Sequence, residues 1–206
     1  MKHFFLFVAL MILWSCGNEK VVQLPEIQNA NITEVLDVSP AYIFYDITKP
    51  DSTDFNRKNL ISTTNWLVNV DKRLTLKQVL PHLQYLQEKR HGDGMHKNEN
   101  ARNYFTCNDT SRNTLGFIDF TDIVYSLEKS DSFLKEYSNS IVINFSENEI
   151  SINDRSLKLE QFNNLKGNLI LTFDALLTFQ EYIRFKSLLL SIDSPKITIA
   201  NQEFIY

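Results

Sequence analysis

The sequence predicts an α+β protein made of two related lobes, and three observations point there. Residues 168–183 (NLILTFDALLTFQEYI) read as a buried strand, an aspartate at its end, a short gap and a capped helix. A near copy stands 103 positions earlier, at 65–80 (NWLVNVDKRLTLKQVL). Asn65/Asn168, Asp71/Asp174, Leu74/Leu177 and Thr75/Thr178 recur in register, and seven further pairs set apolar against apolar. Both copies are flanked by further strand-like segments and turn formers. A supersecondary unit repeated at a fixed offset is the signature of a duplicated architecture.

Each copy carries its own physical reason to be strand and then helix. Trp66, Leu67, Val68 and Val70, like Leu169, Ile170, Leu171 and Phe173, form short apolar runs suited to strands covered on both faces. Thr75 precedes Gln78 and Thr178 precedes Glu181 by three positions. That is the capping-box spacing, in which hydroxyl and N3 side chain satisfy two helix-end amides reciprocally. Behind the caps, Leu76, Val79, Leu80, Leu83 and Leu86 fall on one helical stripe, as do Phe179, Tyr182, Ile183, Leu189 and Leu190. Pro81 lies inside the first helix, where its missing amide predicts a kink.

The chain opens differently. Lys2 supplies a positive charge, and residues 4–13 form an uninterrupted apolar core of ten residues, too short to span a bilayer permanently. Leu13, Trp14, Ser15 and Cys16 follow. This run resembles the lipobox of bacterial lipoprotein signal peptides. The resemblance implies removal of residues 1–15 and lipidation of Cys16, hence a membrane contact through acyl chains. Two or three chains, at ~0.8 kcal/mol per buried methylene, anchor where one would not. Residues 16–40 are polar and aperiodic and are expected to be a tether, with a short ordered piece around 32–36. The first lobe is then placed at 41–125, a charged connector at 126–139 and the second lobe at 140–206.

Within the first lobe, 41–46 (AYIFYD) reads as a strand, 49–54 as a turn and 55–62 as a short helix. After the repeat unit and a loop (HGDGMHKNENARN), 104–107 is a strand. Residues 114–125 are ambiguous between strand and helix. In the second lobe, 140–145 and 149–152 alternate around a turn as a hairpin. Residues 159–165 suggest a short helix, and 196–200 (KITIA) a closing strand.

Composition narrows the function. Losing residues 1–15 leaves 20 basic against 25 acidic side chains, a formal −5. No basic cluster interleaved with aromatics exists, which argues against a nucleic-acid partner. With Cys16 consumed, Cys107 is the sole thiol and reads as a small buried strand residue. No nucleophile-elbow, phosphate-loop, zinc-helix or paired-cysteine pattern occurs, and five glycines leave little for phosphate cradles. No cofactor or metal is expected.

The second half, SIVINFSENEISINDRSLKLEQF followed by LILTFDALLTFQEYIRFKSLLL and KITIA, resembles the periplasmic domain of the ExbD/TolR family. Asp174 falls where that family's strand-end aspartate lies, and Tyr182 within the aromatic part of the following helix. The resemblance covers about the last third of the chain and implies the fold of that domain. The family's transmembrane helix with its proton-coupling aspartate has no counterpart here, so that role does not transfer. The whole chain is also similar to lipoproteins of Bacteroidota.

Asp71 and Asp174, each ending a strand before a capped helix, are candidate ligand contacts at the carboxyl edge of a sheet. The alternative is an acid favoured by the neighbouring helix N-terminus. His91 and His96, with Asp93 and Glu99 nearby, sit in the long loop, whose spacing matches no established metal set. The expectation is a non-enzymatic envelope lipoprotein, anchored in the outer membrane, that binds or scaffolds a protein or envelope polymer, either a separate partner or further copies of itself. The competing readings are a hydrolase using the His91/His96 loop, and an assembly subunit pairing edges such as 196–200 between protomers.

Overall fold

A computed structural model of the chain describes residues 20–92, 98–127, 140–147, 149–153, 155–158, 161–162, 165–191 and 196–206. They form a mixed α/β body of two sheets and two long helices. The elements are β1 (Glu26–Ile27), β2 (Val38–Tyr45), β3 (Thr53–Asn56), β4 (Asn65–Val70), α1 (Leu76–His91), β5 (Asn103–Asp109), β6 (Thr114–Asp119) and β7 (Val124–Ser126). There follow β8 (Ile141–Phe145), β9 (Ile150–Ile152), β10 (Arg155–Ser156), β11 (Gly167–Phe173), α2 (Phe179–Leu190) and β12 (Ile197–Ile205).

The two sheets share one plan. In the first, β3-β2-β4-β5 lie side by side; in the second, β9-β8-β11-β12. In each, an antiparallel hairpin (β2/β3, β8/β9) comes first in the chain. A strand parallel to the hairpin's first member follows, then a helix, then a fourth strand parallel to the third. The 103-residue offset of the sequence repeat superposes β4 on β11 and α1 on α2. The sheets differ beyond the fourth strand. β6 folds back antiparallel on β5, whereas β7 lies parallel on β12, so residues 124–125 of the expected first lobe and Ser126 of the expected connector complete the second sheet.

The helix starts hold the halves together. Thr75 and Thr178 form an antiparallel bridge. Around it, Leu76 N–H donates to Leu177 O at 2.9 Å and Phe179 N–H to Leu74 O. Lys77 N–H donates to Ala175 O and Gln180 N–H to Lys72 O. Exchanging each residue for its repeat mate maps this set onto itself, as an approximate two-fold axis through the bridge requires. Both capping boxes are formed: Thr75 N–H to Gln78 Oε1 and Thr178 N–H to Glu181 Oε2, each 2.8 Å, with the return bonds present. These bonds satisfy amides that every helix start leaves orphaned.

One continuous core spans both halves. Tyr182 of α2 lies edge-on to Phe105 of β5 (6.2 Å between centroids) and to Phe173 of β11 (5.0 Å). From α1, Gln84 and Gln87 donate to the backbone carbonyls of Tyr125 and Ile123, beside the second sheet. Each helix thus touches both sheets. The α1 stripe is buried as expected; on α2, Phe185 and Lys186 are buried and Leu190 is exposed, shifting the covered face toward β12.

Four local expectations change. Residues 55–62 hold no helix, because the reversed backbone at Ser52 (φ 57°) turns Thr53–Asn56 back as an edge strand on β2. Residues 20–37 are a strap against the body rather than a tether, and residues 38–40 already belong to β2. Pro25 is buried, β1 pairs with β5, and Ile32 bridges Phe117. Helix α1 runs unbroken through Pro81, whose ring faces solvent. Residues 114–125 resolve into β6, a turn and β7. The connector at 126–139 and the short helix at 159–165 fall largely outside the described residues.

Candidate functional site

The strand-end aspartates occupy the two turns beside the two-fold bridge. Asp174 Oδ1 accepts Leu176 N–H at 2.8 Å, and Asp71 Oδ1 accepts Arg73 N–H at 3.1 Å. Each closes its own strand-to-helix turn in the manner of Asx residues. Beyond this they differ. Asp71 is fully buried; Arg73 Nε and an Nη each donate to its carboxylate at 2.8 Å, and Gln23 N–H adds a third contact at 3.2 Å. Burial opposes the Asp71 charge, but these donors outweigh it and hold the carboxyl below its usual range. Arg73 in turn stacks over Tyr45. Asp71 therefore pins the strap to the turn, while Asp174 is half-buried.

His91 ends α1, its Nδ1 2.9 Å from Gln87 O. His96 and Cys16 lie outside the described residues, so no constellation of the two histidines is placed. A third histidine, His82, is half-buried against Phe55, its Nε2 3.1 Å from Thr53 Oγ1, which donates to Asp51 at 2.6 Å. Burial draws the His82 pKa down. Among the described residues no group of three or more His, Cys, Asp or Glu side chains is placed to hold a metal.

A groove of about 800 Å³ lies between the strap, β6 and the outer face of α2. Its exposed apolar surface comes from Leu190, with half-buried Ile32 and Leu188, over a floor of buried Ile27, Phe117 and Ile118; Gln180, Ser187 and Asn29 bring polar groups to its border. Glu26 and Asp119, also at its border, are paired with Lys72 and Arg102. Arg184 projects there from α2, exposed, with no ion pair among the described residues. A concave apolar surface with a few convergent polar groups is the usual form of a binding site. The groove is built by the strap, which the sequence presents as a featureless polar run.

Two buried polar networks also escaped the sequence reading. Glu203 of β12, fully buried, accepts from Lys186 Nζ and from Tyr182 Oη (2.8 Å), and the Tyr125 and Tyr182 hydroxyls lie 3.2 Å apart. Burial first, then the Glu203 charge, push both tyrosines well above their ordinary pKa. Arg90 is buried over Trp66 at 3.7 Å and donates to Asn103 Oδ1 and to the carbonyls of Ser62 and Thr64. Desolvation lowers it to about 10. The visible signal was a charged residue on a core-facing stripe: Lys186 lies on the helical face of Phe179, Tyr182 and Ile183. No family model matches this chain, and no match to it was found among curated proteins or solved structures.

Proposed function

We propose that this protein is a cell-envelope lipoprotein, anchored through acyl chains on Cys16, whose folded body is a binding or scaffold module rather than an enzyme. Its partner is a protein or envelope polymer, and the outer membrane is the expected location. Each half is read as a version of the ExbD/TolR periplasmic fold. The shared order of hairpin, strand, helix and strand supports that reading, and proton coupling is not carried over.

One observation carries the choice. The described titratable candidates are engaged in holding the fold, Asp71 by Arg73 and Gln23, Asp174 by its own turn, while the strap–α2 groove presents open apolar surface beside Arg184. Such a groove suits recognition of a segment with apolar side chains and one acidic group.

The test is site-specific photocross-linking in cells, with the probe at Ser187 in the groove and, as control, at Asn153 in the exposed β9–β10 turn. A discrete adduct from Ser187 that Asn153 does not give, and that Arg184→Glu diminishes, supports the reading. Equal labelling from both positions, or none from the groove, overturns it.

A further inference from the structure

The strap sets how close the body stands to its anchor. Lys20 is the first described residue, and its ammonium donates to Asp46 at 2.8 Å and to Asp54 at 2.5 Å. Three residues on, Gln23 N–H is held by Asp71, and Gln23 O accepts Lys72 N–H. The chain is therefore fixed to the body from Lys20 onward. Only Gly17, Asn18 and Glu19 lie between it and Cys16.

Four residue steps, fully extended, reach at most about 14 Å. A body of this length is roughly 40 Å across. The headgroup layer beyond the hydrocarbon is itself about 5–8 Å deep on each side of a bilayer. A stem that short leaves no room for the body to turn its far end to the membrane.

The surface nearest the stem is the β2–β3 turn. Asp46 builds that turn with one oxygen, which accepts Thr48 N–H at 3.0 Å and the Thr48 hydroxyl, and receives Lys20 with the other. Asp46 N–H to Ser52 O at 2.8 Å and Lys49 N–H to Asp46 O at 3.0 Å close it. The turn presents Ile47, 77% exposed, and the strap presents Val21, 72% exposed. Each apolar side chain stands one residue from a member of the same ion pair. Lys49 and Lys20 bring positive charge to this surface, Asp46, Asp51 and Asp54 negative.

We propose that the face formed by Lys20, Val21 and the Asp46–Lys49 turn rests on the phospholipid surface. Ile47 enters the interfacial layer, and the body is held in one orientation with the opposite end of β2 turned away. This rests on Cys16 being the lipid anchor. Tethering raises the local concentration of the face at the bilayer, so a small apolar contact suffices to orient the body.

The test uses the full-length acylated chain reconstituted into vesicles of phosphatidylethanolamine and phosphatidylglycerol. An environment-sensitive dye is placed on Ile47→Cys or on Leu36→Cys. Leu36 is also apolar and exposed (71%) but lies beyond the other end of β2, whose length is about 23 Å. Native Cys107 is fully buried and remains unlabelled. Headgroup-attached nitroxide lipids should quench the Ile47 label several-fold more than the Leu36 label. If intact mass shows no acyl chains on Cys16, the anchor reading fails and this face with it. If the chain is acylated and floats with vesicles, yet both labels are quenched equally or Leu36 more, the orientation alone is overturned.

Discussion

Gly116 is the point at which the strap and the β5–β6 hairpin come closest, and Gly116→Ala tests whether the strap belongs to the fold. A Cβ at Gly116 would stand 2.5 Å from Ala30 Cβ, 3.0 Å from Ile27 Cδ1 and 3.6 Å from Asp109 Cβ. Carbon atoms rest at about 3.5–4.0 Å, so the strap must retreat by roughly 1 Å. It is pinned where it would have to move. Ala30 N–H donates to Asp109 Oδ2 at 2.9 Å, Phe117 N–H to Ile32 O at 2.9 Å, and Arg112 to Ala30 O at 2.8 Å. A shift of that size takes such bonds out of range, at about 1 kcal/mol each. Overpacking a buried site costs about 1–3 kcal/mol, and the lost bonds place Gly116→Ala in the upper half of that range. For a chain of this size that is a fall in Tm of about 2–4 °C per kcal/mol. Urea denaturation measures the cost, and hydrogen exchange should show the Ala30 amide losing protection. Ala30→Gly removes the nearest carbon, so the double variant should recover at least about 1 kcal/mol as coupling. A cost of Gly116→Ala below about 0.5 kcal/mol, or additive single effects, would refute the close crossing.

Three further outcomes follow from the site geometry. Thr75→Ala and Thr178→Ala should each cost about 1 kcal/mol in urea denaturation, because each removes one side of a capping box. The pair should cost less than the sum, since both hold one bridge; strict additivity would contradict the shared contact. Among the described residues, Lys186→Met leaves buried Glu203 with the Tyr182 hydroxyl as its one side-chain donor and should destabilise by about 3–5 kcal/mol, with Lys186→Met/Glu203→Gln recovering most of it. A loss under about 1 kcal/mol for the single variant would mean the pair is hydrated. Asp109 is held down to about 2 by the Ser111 hydroxyl and the Ala30 amide. A depressed carboxyl stabilises the fold above its unfolded value near 3.8 and loses that contribution as pH falls through about 2. Asp109→Asn should therefore flatten the decline in urea midpoint between about pH 5 and pH 2.5; an unchanged slope would rule the residue out as its source.

The repeat unit was legible because its determinants are local. Thr75 and Gln78, or Thr178 and Glu181, specify a helix start within four residues, and the apolar runs before them specify strands of the observed length. The strap was not legible because its order comes from distant partners. Asp109, Phe117, Asp71 and Gln180 lie between 48 and 154 residues away along the chain, and nothing in a polar run announces them. The error at 55–62 has the same root: a four-residue edge strand is set by pairing to β2, not by its own periodicity. Leu190 was assigned to the buried stripe by spacing alone, whereas the sheet packed on α2 covers Phe185 and Lys186 instead.

The approximate two-fold arrangement also says where the halves are free to differ. The features related by it, the paired capping boxes, the Asp71 and Asp174 turns and the four reciprocal backbone bonds, all lie at the joint between the halves. Change at those positions disturbs two helix starts at once, so they are poor places to build recognition. The departures reach outward from the joint: the strap, pinned at Asp71 and Gln180 and crossing at Gly116, β6 against β7 on the fourth strands, and Arg184 facing the strap from α2. The buried Lys186–Glu203 pair fixes α2 to β12, so the exposed side of that helix is presented rigidly beside the strap. Recognition built there can vary without unfolding the joint. For that reason a substitution on the groove surface such as Ser187→Asp should leave the urea midpoint nearly unchanged while abolishing the cross-link from a neighbouring probe. The reverse pattern would place function at the joint.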